Sequence, residues 1–134
     1  MKTSGLFLII LCSWWGLQSC DSSYSYADYD EKTLTLCFND WAHYIDLSTG
    51  EESRQTLRFY LDGTGEEELN YREERSLVSD LTPFQWRWLT GTADTLYLDY
   101  VDKQVFYFRD VSIHYNVMYG VWEEQEVCFH AVVK

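Results

Sequence analysis

Two runs of acidic residues have the side chains most suited to chemistry in this chain of 134 residues: 66–68, which reads Glu-Glu-Glu, and 73–74, which reads Glu-Glu. Two carboxylates on either side of a glycosidic bond can act as the acid and the base or nucleophile of its hydrolysis. On a strand, however, Glu66 and Glu68 share one face and Glu67 points to the other. We therefore interpret these runs as solvated and predict no catalytic residues.

The three histidines, His43, His114 and His130, are scattered, and none has a second His or Cys at the spacing of a metal site. One of them could act as a general base, but no nucleophilic serine elbow or reactive cysteine motif accompanies it. Residues 62–65, Asp-Gly-Thr-Gly, provide too few oxygen ligands for a calcium loop and predict a hairpin turn. We expect neither an enzyme nor a metal or other cofactor.

Trp86 and Trp88 are the candidate ligand-binding residues. They alternate in residues 84–88, Phe-Gln-Trp-Arg-Trp, so both indoles share one face of a predicted strand. Interior aromatic side chains of this kind line the pocket in barrels that bind small molecules. In a small barrel that is filled by side chains they form the core instead, which is the favoured alternative.

Cys37 and Cys128 are candidates for a disulfide. Cys37 lies in the predicted first strand, 34–38, and Cys128 lies in the predicted last strand. Both cysteines point away from the apolar face of their strand, so they could meet if the terminal strands pair. A compartment that permits disulfides would allow the bond, and two free thiols are the alternative.

The N-terminal segment has the features of a secretory signal. Lys2 is its only charged residue before Asp21, and residues 5–17 are mostly apolar. A membrane-spanning helix needs about 20 apolar residues, which is more than this stretch offers. The basic start, the short apolar stretch and the small residues after it are typical of a signal peptide.

Residues 17–20, Leu-Gln-Ser-Cys, resemble the lipobox of bacterial lipoproteins. The resemblance implies cleavage before Cys20 and acylation of its thiol, so we predict a signal peptide over 1–19. Residues 20–32 are polar apart from their tyrosines and predict a tether between the lipid and the domain. Acidic residues shortly after the cysteine resemble the surface-export signal of lipoproteins from Bacteroidota-type bacteria. The expected location is the cell envelope, at the outer membrane, either periplasmic or surface-exposed.

The charge balance excludes one class of partner. Lys and Arg total 10 against 22 Asp and Glu, for a net charge of -12. Removing residues 1–19 takes away Lys2 and no acid, which leaves 9 basic residues against 22 acidic ones and a net charge of −13. Such a surface repels nucleic acids and anionic lipid headgroups. A neutral small molecule or a basic protein is the expected partner, besides the membrane that Cys20 would reach.

Short alternating segments, separated by turn residues, occupy the predicted domain from 33 to 134. Aromatic residues make up 18% of the chain, which predicts a packed core. The predicted strands are 34–38, 57–61, 67–71, 84–88, 96–100, 104–108, 113–121 and 125–133. Residues 72–82 are predicted to be a loop or a short helix, and no segment has a clear helical period. Seven or eight short strands predict an all-β fold, a small antiparallel meander barrel or a barrel-like sandwich.

Three motifs resemble the small lipocalin-like, or calycin-like, lipoproteins of Bacteroidota-type bacteria. They are residues 57–65 (Leu-Arg-Phe-Tyr-Leu-Asp-Gly-Thr-Gly), 84–88 (Phe-Gln-Trp-Arg-Trp) and 96–100 (Leu-Tyr-Leu-Asp-Tyr). The family has motifs of the same types in the same order, and the resemblance covers about residues 33–133. It implies a lipocalin-like barrel in a cell envelope. The expected function is a lipid-anchored binding module with an unknown ligand. The alternative is a protein–protein interaction module, either an accessory subunit of a surface complex or an inhibitor of a basic enzyme.

Overall fold

The computed structural model describes residues 29–46, 52–89, 94–101 and 104–132. The chain divides into two units, Met1–Asp30 and Glu31–Lys134, and the second contains all the elements given below. The predicted signal peptide, Cys20 and the tether up to residue 28 lie outside the described residues. Within the described ranges, none of the helices has the length and apolar character that a membrane crossing requires.

The second unit is a closed antiparallel barrel of eight strands with one short helix. The elements are α1 (Glu31–Phe38), β1 (Asp40–Asp46), β2 (Glu52–Phe59), β3 (Thr64–Glu73), β4 (Ser76–Trp88), β5 (Leu96–Tyr100), β6 (Val105–His114), β7 (Val117–Trp122) and β8 (Gln125–Ala131). Each strand pairs with the next, and β1 pairs with β8 to close the barrel. The predicted all-β fold is confirmed, with eight strands and a barrel rather than a sandwich.

Alternation of apolar and polar residues determines which side chains face the barrel interior. In β5, Leu96, Leu98 and Tyr100 are buried, whereas Tyr97 and Asp99 between them are partly exposed. The interior is filled most densely near α1, which we call the closed end. Fully buried side chains there include Trp41, Leu57, Phe59, Phe84, Leu96, Phe108, Met118 and Phe129. The opposite end, where the turns after β3, β5 and β7 lie, is the mouth of the barrel.

The helix α1 covers the closed end, and it replaces the predicted strand 34–38. Leu36, on the side of the helix that faces the barrel, is fully buried, and the indole N–H of Trp41 donates to the Leu36 carbonyl at 3.0 Å. The Lys32 ammonium donates to the carbonyl of Val111 at 2.6 Å, which ties the helix to β6. The strand prediction was wrong because the helix buries Thr33 and Leu36, three residues apart, and leaves Phe38 exposed.

Three further elements differ from the predictions, and the first is β1, whose residues 40–46 were not predicted to form a strand. Residues 72–82, expected to be a loop or helix, form a hairpin in which β3 and β4 pair up to Glu73 and Ser76. Its turn residues, Glu74 and Arg75, have φ angles of 49° and 75°, a geometry that glycine or asparagine usually signals. The predicted strand 113–121 is split by a turn into the end of β6 and β7.

The seam that closes the barrel is short. In the described part of the chain, pairing between β1 and β8 covers Trp41 with Ala131 and Ala42 with His130. The amide of Val132 also donates to the Asp40 carbonyl at 2.8 Å. These contacts all lie toward the closed end, so the backbone of β1 and β8 is joined there and not along the whole of β1.

Candidate ligand site at the barrel mouth

A cavity with a volume of about 640 Å³ opens at the mouth of the barrel. It is comparable in size with pockets that bind small molecules. Six consecutive strands, or the turns that follow them, contribute to its wall. The lining residues are Gln55, Glu67, Leu69, Asp80, Thr82, Tyr100, Gln104, Phe106, Trp122 and Glu123.

Three aromatic rings form one wall of the cavity. The Tyr100 and Phe106 rings meet edge to face, with centroids 5.3 Å apart and planes at 86°. The Phe106 and Trp122 rings are stacked, with centroids 5.3 Å apart and planes at 26°. The rings belong to β5, β6 and β7, and each points inward because it lies at an interior position of its strand. Together they present a continuous aromatic surface to a ligand.

A carboxylate lies opposite this wall. Glu67 points into the barrel, as its alternation with Glu66 and Glu68 requires, and it is partly buried. Its Oε2 accepts two hydrogen bonds, from Gln55 Nε2 at 2.8 Å and from the Tyr100 hydroxyl at 2.9 Å. The described residues offer no hydrogen bond to Oε1, which is therefore left to accept one from a ligand.

The Tyr100 hydroxyl is held in its neutral, donating form. Burial raises the pKa of Tyr100 far above that of an ordinary tyrosine, and the nearby negative charge of Glu67 and the hydrogen bond to it raise the pKa further. The side chain is 5% exposed. Tyr100 thus acts as a fixed donor that sets the orientation of the Glu67 carboxylate at all physiological pH values.

A second cavity, of about 310 Å³, adjoins the first along the seam between β1 and β8. The two cavities share Gln55, Trp122 and Glu123 as lining residues. His43 also lines the second cavity, and its Nδ1 lies 3.2 Å from the Cys128 carbonyl. Because a carbonyl can only accept, Nδ1 is the donor, and Nε2 of the neutral ring remains an acceptor.

The mouth is acidic. Glu67, Asp80 and Glu123 line the larger cavity, and neither cavity has a Lys or Arg among its described lining residues. Glu123 and Glu124 form the two-residue turn between β7 and β8, with φ angles of 48° and 68°. Such left-handed backbone is unfavourable for glutamate. The rim therefore combines negative charge with backbone strain, a combination that is found at functional sites.

Trp86 and Trp88, the residues predicted to line a pocket, do not line the mouth cavity. The Trp86 indole N–H donates to the carbonyls of Tyr60 and Thr64, at 2.9 and 3.0 Å, and so holds the turn between β2 and β3. The Trp88 indole donates to Thr33 Oγ1 at 2.9 Å and packs beneath the helix. Both belong to the closed end of the barrel, as the core alternative expected.

The predicted disulfide is absent, because both Cys37 and Cys128 are free thiols. Cys37 lies on α1 and not on a terminal strand, so the strand that pairs with β8 is β1 instead. Cys128 lies on the outer face of β8, with its Sγ 3.7 Å from Nε2 of His130. The expectation that Cys37 and Cys128 could meet depended on pairing between strand 34–38 and the last strand, and residues 34–38 form part of α1 instead.

The outer face of the acidic run is largely paired with other side chains. Arg58 donates to Asp40 at 3.1 Å and approaches Glu68 at 3.4 Å, and the Tyr60 hydroxyl donates to Glu66 at 2.6 Å. The interpretation of the run as a solvated face missed Glu67, whose carboxylate lines the mouth cavity. The signal was the position of Glu67 two residues before Leu69, which places the carboxylate on the same interior face as the leucine.

The described residues contain no group of three or more His, Cys, Asp or Glu side chains able to hold a metal ion. The mouth cavity instead combines three carboxylates, two amides and two hydroxyl groups with aromatic rings. No protein-family model matches this chain, and neither a curated protein nor a solved structure is significantly similar to it.

Proposed function

We propose that this protein is a lipid-anchored module of a cell envelope that binds a small molecule in the mouth of its barrel. The observation that supports this proposal best is the cavity of about 640 Å³, with its aromatic wall and its oriented carboxylate. A domain whose role was purely structural would gain stability by filling such a space. The open, partly polar mouth leaves room for a ligand.

The support for the anchor comes from the sequence pattern at residues 5–20. A short apolar stretch precedes Leu-Gln-Ser-Cys, which resembles a lipobox with Cys20 as its acylated residue. The anchor would hold the domain at a membrane surface. The strongly acidic domain would not bind anionic headgroups by itself.

We propose binding without catalysis. The groups around the cavity that can move protons are Tyr100, which burial keeps protonated, and the carboxylates of Glu67, Asp80 and Glu123. Oε2 of Glu67 already accepts two hydrogen bonds. These bonds orient the carboxylate toward a ligand. They suit recognition of a hydrogen-bond donor.

Binding of N-phenyl-1-naphthylamine, an uncharged fluorescent probe at pH 7, tests the proposal. The full chain purified from its host is placed in phosphatidylcholine nanodiscs, with empty nanodiscs as the blank. We expect the fluorescence of the probe to increase saturably with protein concentration. The affinity for the probe should fall at least about threefold in Phe106→Ala, which removes part of the aromatic wall. Tyr107→Ala is the matched control, because Tyr107 is the next residue of β6 and is exposed on the outer face. Equal loss in both variants, or no saturable binding, would contradict the proposal.

A second candidate function is binding of a basic protein by the β3–β4 hairpin. Leu77 and Leu81 on its outer face are 76% and 60% exposed, and the exposed Glu73 and Glu74 lie at its tip. Arg72 and Arg75, also exposed, balance these two carboxylates at the tip, so the expected preference for a cationic partner rests on the net charge of the whole chain, -12. A pull-down from envelope and host secretions at about 50 and about 300 mM salt tests it, since screening should weaken the complex. Capture of an acidic partner with unchanged yield at high salt would count against this function.

A further inference from the structure

We infer that the mouth cavity selects a primary or secondary organic amine, bound as its ammonium form through Glu67 with a flat apolar body against the aromatic wall. This inference rests on the proposed function, because it names the class of small molecule that the cavity takes. The charge, the hydrogen bonds and the ring geometry of the mouth each support it independently.

The charge of the cavity wall excludes anionic ligands. Glu67, Asp80 and Glu123 all contribute carboxylates, and the described wall contains no Lys or Arg to neutralise them. A carboxylate that is partly removed from water is stabilised strongly by a cation that enters with it. A cationic ligand provides that partner, and an anionic one would be repelled by the whole wall.

The hydrogen bonds of Glu67 leave one oxygen for the ligand. Oε2 is occupied by the amide of Gln55 and the hydroxyl of Tyr100, at 2.8 and 2.9 Å. Both partners are donors, so they fix the carboxylate plane. Oε1 can then accept an N–H from an ammonium group. A quaternary ammonium has no hydrogen to donate and would lose this bond.

The rings of Tyr100, Phe106 and Trp122 complete the recognition. Aromatic faces attract a cation within about 6 Å of the ring centroid, and they also stack on a flat apolar group. The edge-to-face contact of Tyr100 with Phe106 and the stacked pair of Phe106 with Trp122 turn the rings in different directions. The charged end of a ligand can therefore contact one ring while the flat body of the same ligand contacts a second ring.

Metal ions offer the main alternative source of positive charge. A calcium or transition-metal site needs several oxygen, nitrogen or sulfur ligands around one point. Among the described residues no group of three His, Cys, Asp or Glu side chains is close enough for this. The aromatic wall would also be unused by a metal ion.

The test compares three probes that share an indole body and differ in charge: tryptamine, the uncharged alcohol tryptophol, and indole-3-propionate. Binding to the full chain in phosphatidylcholine nanodiscs is measured by calorimetry at pH 7, with empty nanodiscs as the blank. We expect tryptamine to bind at least about tenfold more tightly than tryptophol, the ratio typical of one charge-assisted hydrogen bond. Indole-3-propionate should bind more weakly than either.

Glu67→Gln removes the charge and keeps the shape of the side chain. We expect it to weaken tryptamine binding about tenfold or more while changing tryptophol affinity less than about threefold. Retained tryptophol binding shows that the cavity of this variant is intact. Glu126→Gln is the matched control, because it removes the same charge from an exposed position on β8, and it should leave tryptamine binding unchanged.

The outcomes separate this inference from the proposed function. If tryptophol or indole-3-propionate binds as tightly as tryptamine, or if Glu67→Gln leaves tryptamine binding unchanged, the amine preference is wrong while ligand binding at the mouth stands. If none of the three indoles and no N-phenyl-1-naphthylamine binds, both are wrong. Loss of tryptamine binding in Glu126→Gln to the same degree as in Glu67→Gln would show a long-range charge effect and overturn the assignment to Glu67.

Discussion

The hydroxyl of Tyr100 donates to Oε2 of Glu67 at 2.9 Å, and this bond crosses the interior of the barrel from β5 to β3 above the intervening strand β4. It is therefore a contact between strands that are not neighbours in the sheet. It ties the packed half of the barrel, where Tyr100 contacts Phe84, to the polar mouth. The same hydroxyl thus contributes to stability and to the orientation of the ligand site.

Tyr100→Phe is expected to lower the free energy of unfolding by about 1 kcal/mol at pH 7, because Glu67 loses one of its two donors. The raised pKa of Tyr100 also gives a pH dependence. In the unfolded chain a tyrosine ionises near pH ~10, whereas in the native barrel Tyr100 stays neutral beyond that pH, so stability is lost as pH rises above ~10. Chemical denaturation at pH 8 and pH 10.5 measures both effects, and the variant should lose less stability over this interval than the wild type.

Tyr60→Phe is the companion variant. The hydrogen bond to Glu66 and, to a smaller extent, partial burial raise the pKa of Tyr60 to about 12. Removing the Tyr60 hydroxyl should therefore also reduce the loss of stability at alkaline pH. Tyr60 is more exposed than Tyr100, and its effect should be the smaller of the two. Identical pH profiles for the wild type and Tyr100→Phe would contradict the assignment of the buried bond.

The two thiols of the barrel should differ in reactivity. Burial, with a smaller effect from the negative charge of Asp62, raises the pKa of Cys37 to about 12. At pH 8 roughly one Cys37 in ten thousand is then a thiolate, the form that reacts with alkylating reagents. We expect iodoacetamide to modify Cys128 in the native protein and Cys37 only after unfolding, as followed by peptide mass spectrometry. A mass lower by two hydrogens, from a disulfide, would contradict the free thiols.

Gly65→Ala is expected to destabilise the barrel by about 1–3 kcal/mol through overpacking. A Cβ at this position would lie 2.5 Å from the Phe84 ring and 2.6 Å from the Arg58 carbonyl oxygen. The ring is buried in the core and the carbonyl is part of the β2–β3 pairing, so neither can move without loss of other contacts. Thermal unfolding measures the change, with Ser79→Ala, on the exposed face of β4, as a control that should be within about 0.5 kcal/mol of the wild type.

Cys20→Ala should abolish acylation and leave the chain uncleaved or released from the membrane. The expectation rests on the pattern Leu-Gln-Ser-Cys after an apolar stretch. Intact mass spectrometry of the wild-type protein from its native host should find acyl groups on Cys20, and cell fractionation should find the variant displaced. Wild-type protein without acyl groups would refute the anchor and leave the ligand site untouched.

The barrel could be predicted because its core strands alternate cleanly, as in β5, where Leu96, Leu98 and Tyr100 all face inward. Residues 34–38 alternate equally well, but they form part of α1. The helix is short, and its buried side chains depend on the barrel end that they cover. This dependence is a tertiary effect that has no signal in the local sequence.

The mouth was harder to predict than the core for a physical reason. The interior face of β4 near its start contains Asp80 and Thr82, because that part of the strand lines an open cavity instead of packed side chains. A strand with polar residues on its interior face has a sequence that resembles a loop, and residues 72–82 were predicted to be a loop or a short helix. Glu67 was overlooked in the same way, since an inward carboxylate between two outward ones resembles a solvated run.

The short seam between β1 and β8 has a kinetic consequence. With backbone pairing confined to Trp41–Ala131 and Ala42–His130 in the described chain, the mouth side of the seam can separate while the core stays packed. The second cavity runs along this side, where His43 lines the wall. The rate at which β1 and β8 separate on the mouth side would then set how fast a ligand dissociates. Residence time and affinity could be tuned by different residues, the first by the seam and the second by Glu67 and the rings.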